Sequence, residues 1–198
     1  MQIIVIAGFL GSGKTSTLKN MVSMLGYKDP TRLAVIINDF GEIGIDTSVV
    51  STTGIEPVEL VSGCVCCQLG VDLIKTIQDI YNRYRPSTVI LEPSGVANPG
   101  AIKEVLSNLK GIPVERITNL VLVDPIRFEL IVDIPVIEEG VAVADILVIT
   151  KTDLVMDSEI DLLREKLRNL NQRAKIVEIS NIHPATLISL IGVLKNEE

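Results

Sequence analysis

Nine residues near the start of the chain, Gly8-Phe9-Leu10-Gly11-Ser12-Gly13-Lys14-Thr15-Ser16, confine it to few folds. They follow an apolar, β-branched run at 2–7 and precede a segment with helical spacing. Glycines at these offsets let backbone N–H groups curl around an anion at a helix N-terminus, where the helix dipole favours negative charge. In such a loop Gly11, Ser12, Gly13 and Ser16 line the phosphates and Lys14 reaches the β- and γ-phosphates. The Thr15 hydroxyl is then placed to ligate Mg2+. A glycine-rich turn without a ligand is the bland alternative, but it leaves the lysine and the threonine unexplained.

The rest of the chain repeats the strand-then-helix order. Apolar runs recur at 2–7, 33–37, 88–91, 119–123, 145–150 and 175–179. They are continuous rather than alternating, which marks strands buried on both faces. Between them lie helical stripes: Leu18, Met21, Val22, Leu25; Ile74, Ile77, Tyr81, Tyr84; Ile102, Val105, Leu106, Leu109. Two more follow, Ile160, Leu163, Leu167, Leu170 and Leu187, Ile188, Ile191, Leu194. The expected fold is an α/β P-loop NTPase, a mostly parallel central sheet with helices on both faces and its functional loops at one sheet edge. Residues 1–198 are expected to form one domain, without a second C-terminal one.

Charge and hydropathy narrow the partners. With 18 Lys and Arg against 25 Asp and Glu, the net charge is −7, and no basic cluster offers a nucleic-acid surface. No apolar run approaches the roughly 20 residues of a membrane span, and no leader pattern opens the chain, so a cytoplasmic protein is expected.

Three further stretches carry chemistry. Thr150-Lys151-Thr152-Asp153 follows an apolar strand. A carboxylate there can accept from both N1–H and the exocyclic amine of guanine, a donor pair adenine lacks. Asp153 therefore favours GTP, Lys151 can lie along the base plane and brace the P-loop, and Thr150 keeps a hydroxyl where many GTPases carry Asn. The competing reading makes Asp153 a helix cap for the segment from about 156. Glu92-Pro93-Ser94-Gly95 ends another strand: Glu92 can hold Mg2+ through its water, and the Gly95 N–H can touch the γ-phosphate. Asn98-Pro99 reads as a helix cap and first helical residue. The acidic, glycine-bearing stretch Asn38-Asp39-Phe40-Gly41-Glu42-Ile43-Gly44-Ile45-Asp46 fits a nucleotide-sensing switch, with Asp39 the first candidate to ligate metal or position water.

All three cysteines fall at Cys64, Cys66 and Cys67. Thiols this close can share one soft metal, Zn2+, Co2+ or Ni2+. The fourth ligand would be Glu42 or Asp39, a water, or a group from another subunit, because His183, the one histidine, is distant and reads as a turn residue. An incomplete set suits transfer better than permanent structural zinc. A redox thiol group and inert buried cysteines are the alternatives.

Taken together, GFLGSGKTS at 8–16, NDFGEIGID at 38–46, VELVSGCVCC at 58–67, EPSGVANP at 92–99 and TKTD at 150–153 resemble the CobW family of metal-associated GTPases, relatives of the hydrogenase and urease nickel-insertion GTPases. The resemblance implies a GTP-dependent metallochaperone or metalloenzyme activator. In it, Cys64, Cys66 and Cys67 would hold Zn2+ or Co2+, GTP would order the switch so that this site forms, and hydrolysis would release the ion to a client metalloprotein or corrinoid-dependent enzyme. A homodimer could share metal ligands. The chain departs from the family pattern at Asp39, usually Glu, and at Thr150, usually Asn, and family members often continue into a second domain. Two other readings remain: a GTP-gated interaction module with a structural zinc or redox cluster, and a small-molecule kinase. The kinase would need an Arg- or Lys-rich lid, and the sequence has no such run.

Overall fold

The computed structural model describes residues 1–25, 33–37, 58–59 and 68–195. Among these, seven strands form one sheet: β1 Gln2–Gly8, β2 Leu33–Ile37, β3 Val58–Glu59, β4 Thr88–Glu92, β5 Arg116–Val123, β6 Ile146–Ile149 and β7 Lys175–Glu178. Their order is β3-β2-β4-β1-β5-β6-β7, and every pairing is parallel. Parallel neighbours need crossovers, and the helices supply them: α1 Lys14–Leu25, α2 Gln68–Tyr84, α3 Pro99–Ser107, α4 Pro125–Ile131, α5 Pro135–Ala142, α6 Asp157–Leu170 and α7 Leu187–Lys195. None of the described helices is long and apolar enough to cross a membrane.

Strand pleating divides the core as the continuous apolar runs require. On one face Ile4 and Ile6 of β1, Leu120 and Leu122 of β5 and Val148 of β6 pack against Leu18, Met21 and Val22 of α1 and against Leu187, Leu190 and Leu194 of α7. On the other face two clusters form side by side. Ile3 and Val5 meet Leu73, Ile77 and Ile80 of α2 and Leu106 of α3, while Val121, Leu147 and Ile149 meet Phe128 of α4, Val141 of α5 and Ile160, Leu163 and Leu167 of α6. Helices thus cover both faces, as the sequence predicts, and each fully buried Leu or Ile contributes about 1.5–3 kcal/mol by leaving water.

The element boundaries depart from the predicted ones in instructive places. Strand β5 starts at Arg116, three residues before the expected 119, because pairing with β1 from Gln2 onward extends it through Arg116, Ile117 and Thr118. Helices α4 and α5 have no counterpart among the predicted stripes. Both are about two turns long and start with proline, so their apolar residues are too few to show a period. In α7 the inward stripe is Leu187, Leu190 and Leu194, whereas Ile188, predicted to face the core, is 62% exposed. In α2 the deepest residues are Leu73, Ile77 and Ile80, with Tyr81 and Tyr84 packed at the margin. The two-residue β3 at the sheet edge is too short to announce itself.

Candidate nucleotide-binding site

All the described strands run the same way, so the C-terminal end of each opens onto one edge, and α/β sheets bind ligands there. Strand β1, near the middle of the sheet, delivers the glycine-rich loop to that edge. Gly11 and Gly13 take positive φ of 77° and 91°, conformations an L side chain resists, and Ser12 N donates back to Phe9 O at 3.1 Å to close the turn. Helix α1 begins at Lys14, and Thr17 N bonds Gly13 O at 2.8 Å, so the loop passes directly into a helix N-terminus. Lys14 is 8% exposed, and its Nζ donates to Gly8 O at 3.0 Å, arching over the loop it would serve.

Strand β4, paired beside β1, brings its acid to the same place. Thr15 Oγ1 donates to Glu92 Oε1 at 2.6 Å, and Glu92 is 5% exposed. Two adjacent oxygen donors, one anionic, are the hard-donor chemistry that Mg2+ takes. Three residues on, the backbone at Gly95 comes so close to the P-loop that a Cβ would lie 3.0 Å from Leu10 N and 3.2 Å from Lys14 Nζ. The predicted Lys14, Thr15, Glu92 and Gly95 are thereby brought together. Asn98 caps α3 as expected, accepting from Gly100 N at 2.8 Å and Ala101 N at 3.3 Å.

The predicted guanine element leaves β6 alongside. Thr150 is fully buried, and its hydroxyl donates to Ser12 O at 3.0 Å, with Val123 O at 3.3 Å. The bracing of the P-loop assigned from sequence to Lys151 is made instead by Thr150. Lys151 adopts a left-handed backbone, φ 54°, and its Nζ sits 2.6 Å from Asp124 Oδ2. Asp153 lies in a short 3-10 turn, Thr152–Leu154, and one of its oxygens accepts from the Ser180 hydroxyl. It caps no helix, since the residue before α6 is Met156, whose N donates to Glu159 Oε2 at 2.9 Å. The helix-cap alternative for Asp153 therefore fails.

Four residues of this edge carry no sequence assignment: Asp124 and Arg127 at the β5–α4 corner, and Ser180 and Asn181 after β7. Asp124 caps α4 through Ile126 N, and Arg127 Nη1 reaches Leu10 O at 3.2 Å. Asn181 bonds the Thr17 hydroxyl through its side chain, and its carbonyl accepts from Asn20 Nδ2 at 3.0 Å, so α1 is tied to the β7 exit. The available signal was positional: in a parallel sheet the residue after each strand reaches the ligand edge. His183 sits in the turn predicted for it, with its N on Ser180 O and its carbonyl accepting from Thr186 Oγ1. Asp39, Glu42, Cys64, Cys66 and Cys67 lie outside the described residues. Among the described residues no group of His, Cys, Asp or Glu could hold a metal ion as a cluster of three.

A glycine-rich loop at the exit of a central parallel strand, with an acid from β4 and a clamped acid after β6, defines a P-loop nucleotide-binding domain. The profile of the CobW/HypB/UreG nucleotide-binding domain matches residues 2–178, and the chain belongs to that family. A curated relative, the zinc chaperone CobW of a Sinorhizobium species, is 30% identical across 96% of this chain and 62% of its own length. The zinc-regulated GTPase metalloprotein activator 1 of Schizosaccharomyces pombe is 30% identical across 90% of this chain and 45% of its own. The chain therefore spans about half to three fifths of these relatives. Among solved structures, HypB from Helicobacter pylori in complex with nickel superposes with a TM-score of 0.70 at 19% identity, covering 98% of this chain and 86% of that one, a likeness of fold.

Proposed function

We propose that this chain binds and hydrolyses GTP and couples that cycle to the handling of a transition metal ion, Zn2+ or Co2+, as a metallochaperone or metalloenzyme activator. The observation that carries the reading is the convergence on one sheet edge of Lys14, Thr15 and Glu92 with Asp153. Lys14 and the loop N–H groups bind the phosphates, and Thr15 and Glu92 are the residues that would hold Mg2+, which supplies charge neutralisation at the β- and γ-phosphates. Asp153 reads the guanine amidine edge, and Gly95, with no side chain in the way, lets its backbone approach the γ-phosphate beside Lys14.

The metal is cargo in this proposal. Its ligands are the thiolates of Cys64, Cys66 and Cys67, with Glu42 completing the set and Asp39 joining the switch to the γ-phosphate; a client metalloprotein receives the ion. The names of the relatives support the metal side: one is a zinc chaperone, another a zinc-regulated GTPase. The test is the Zn2+ and Co2+ affinity of the reduced, metal-free protein in Mg-GTP analogue, in Mg-GDP and without nucleotide. Tighter binding with the GTP analogue, abolished by Cys66→Ser, is expected, and each tenfold difference corresponds to about 1.4 kcal/mol of coupling. Equal affinity in all three states overturns the coupling and leaves a GTP-gated module with a structural or redox cysteine group.

A further inference from the structure

The β5–α4 corner does more than turn the chain. Asp124 has a side chain only 4% exposed, and its two oxygens are divided between partners: Oδ1 accepts from Ile126 N at 3.0 Å, and Oδ2 receives Lys151 Nζ at 2.6 Å. Capping α4 needs only a neutral acceptor such as Asn or Ser. The second contact is what calls for a carboxylate, and it lands on the lysine of the loop that carries Asp153.

Lys151 is held unusually. It is one of two non-glycine residues with positive φ among the described residues, a conformation that costs about 1–2 kcal/mol and persists only where its surroundings enforce it. Those surroundings are Thr150, locked to Ser12 O on one side, and Asp124, gripping the ammonium on the other. With its end held at Asp124, the lysine's four-carbon stem is kept against the corner, the side chain 29% exposed. Two residues on, the Asp153 carboxylate is fixed by Ser180. The same corner reaches the P-loop, where Arg127 Nη1 bonds Leu10 O.

From this geometry we infer that Asp124 is a positioning residue for the purine base, the choice of guanine being left to Asp153. By pinning Lys151 it stretches the stem into a flat platform for one face of the purine, while Asp153 takes the base edge. Both halves of the base site are then set before nucleotide arrives, which removes an ordering cost from binding. The inference rests on the GTP reading given above. Its rival is purely architectural, with the ion pair stapling β5 to the β6 exit; removing one partner would then weaken the whole fold.

The experiment compares wild type with Asp124→Asn, which keeps an excellent helix cap while removing the charge. Affinities for Mg-GTP, Mg-ATP and Mg-tripolyphosphate are measured by calorimetry beside the melting temperature. Tripolyphosphate has no base and reports the P-loop alone. The expected result is an about tenfold loss for GTP, the scale of one charge-assisted hydrogen bond, with tripolyphosphate affinity unchanged. Lys151→Met, which keeps the stem's bulk but not its anchor, should lose a similar amount, and the double variant no more than either single one. GTP affinity that survives Asp124→Asn overturns the inference, as does an equal fall for GTP and tripolyphosphate, or additive losses in the double variant. Asp153→Asn separates the failures. If it erases the GTP preference while Asp124→Asn leaves GTP affinity intact, only the clasp is wrong; if both are silent, the guanine reading falls and the clasp with it.

Discussion

The exits of β1 and β6 lie at the same sheet edge and are built on opposite principles. The β1 exit is made of backbone: glycines with positive φ, an internal turn bond and a helix that begins at once. The β6 exit is made of side chains: Thr150 reaches Ser12 O, Lys151 is gripped by Asp124, and Asp153 is held by Ser180. A backbone device suits phosphate, whose oxygens take any N–H and whose charge the helix dipole favours. A side-chain device suits a base, where a single acceptor must face a particular pair of donors.

Substitutions should divide along that contrast. The largest effect is expected at Lys14. Lys14→Ala should lower GTP turnover by at least about a hundredfold, the scale of losing a preorganised charge at a phosphoryl transition state, and single-turnover assays would read it. Asp153→Asn comes next, because only the carboxylate can accept from both guanine donors at once and an amide leaves one of them without an acceptor. The preference for GTP over ATP should fall by about a hundredfold in competition binding while hydrolysis of bound GTP persists. If turnover falls with the preference, the two exits are not separable.

Smaller effects sharpen the comparison. Gly95→Ala puts a methyl group 3.0 Å from Leu10 N, a backbone atom that cannot step aside as a side chain would. Turnover should drop several-fold with little change in melting temperature, since the strain falls on the approach between two loops. Thr150→Val, close in shape, removes the hydroxyl tie to Ser12 and should cost about 1–3 kcal/mol of stability in denaturant titrations. Arg127→Ala should be mildest: its bond to Leu10 O is solvent-exposed, and GTP affinity should stay within about threefold.

The same contrast explains what could be read from the sequence. The P-loop is local, so Gly11, Gly13, Lys14 and Thr15 announce themselves by spacing, and the continuity of the apolar runs declares a parallel sheet covered on both faces. Glu92 and Asp153 are legible because each ends such a run. Asp124 ends one too, yet Asp-Pro reads equally as a helix start, and the structure makes it both cap and clamp. Ser180 and Asn181 follow a four-residue strand and carry no motif of their own; only the fold brings them to Asp153 and Thr17. Stripe errors such as Ile188 for Leu190 arise because α7 is apolar nearly all round, leaving spacing little contrast to work with.

The hydroxyl bond from Thr150 to Ser12 joins residues 138 apart in the chain, and the bond from Thr15 to Glu92 joins residues 77 apart. Both contacts close long loops, so each must offset its closure entropy before it rewards the fold. A growing polypeptide on the ribosome has its glycine-rich loop almost from the outset, yet it lacks the partner that fixes Asp153 until Ser180 has been made. The Asp153 loop thereby doubles as a report that the last strand has been made, since a chain cut short of Ser180 could not hold that carboxylate in this way.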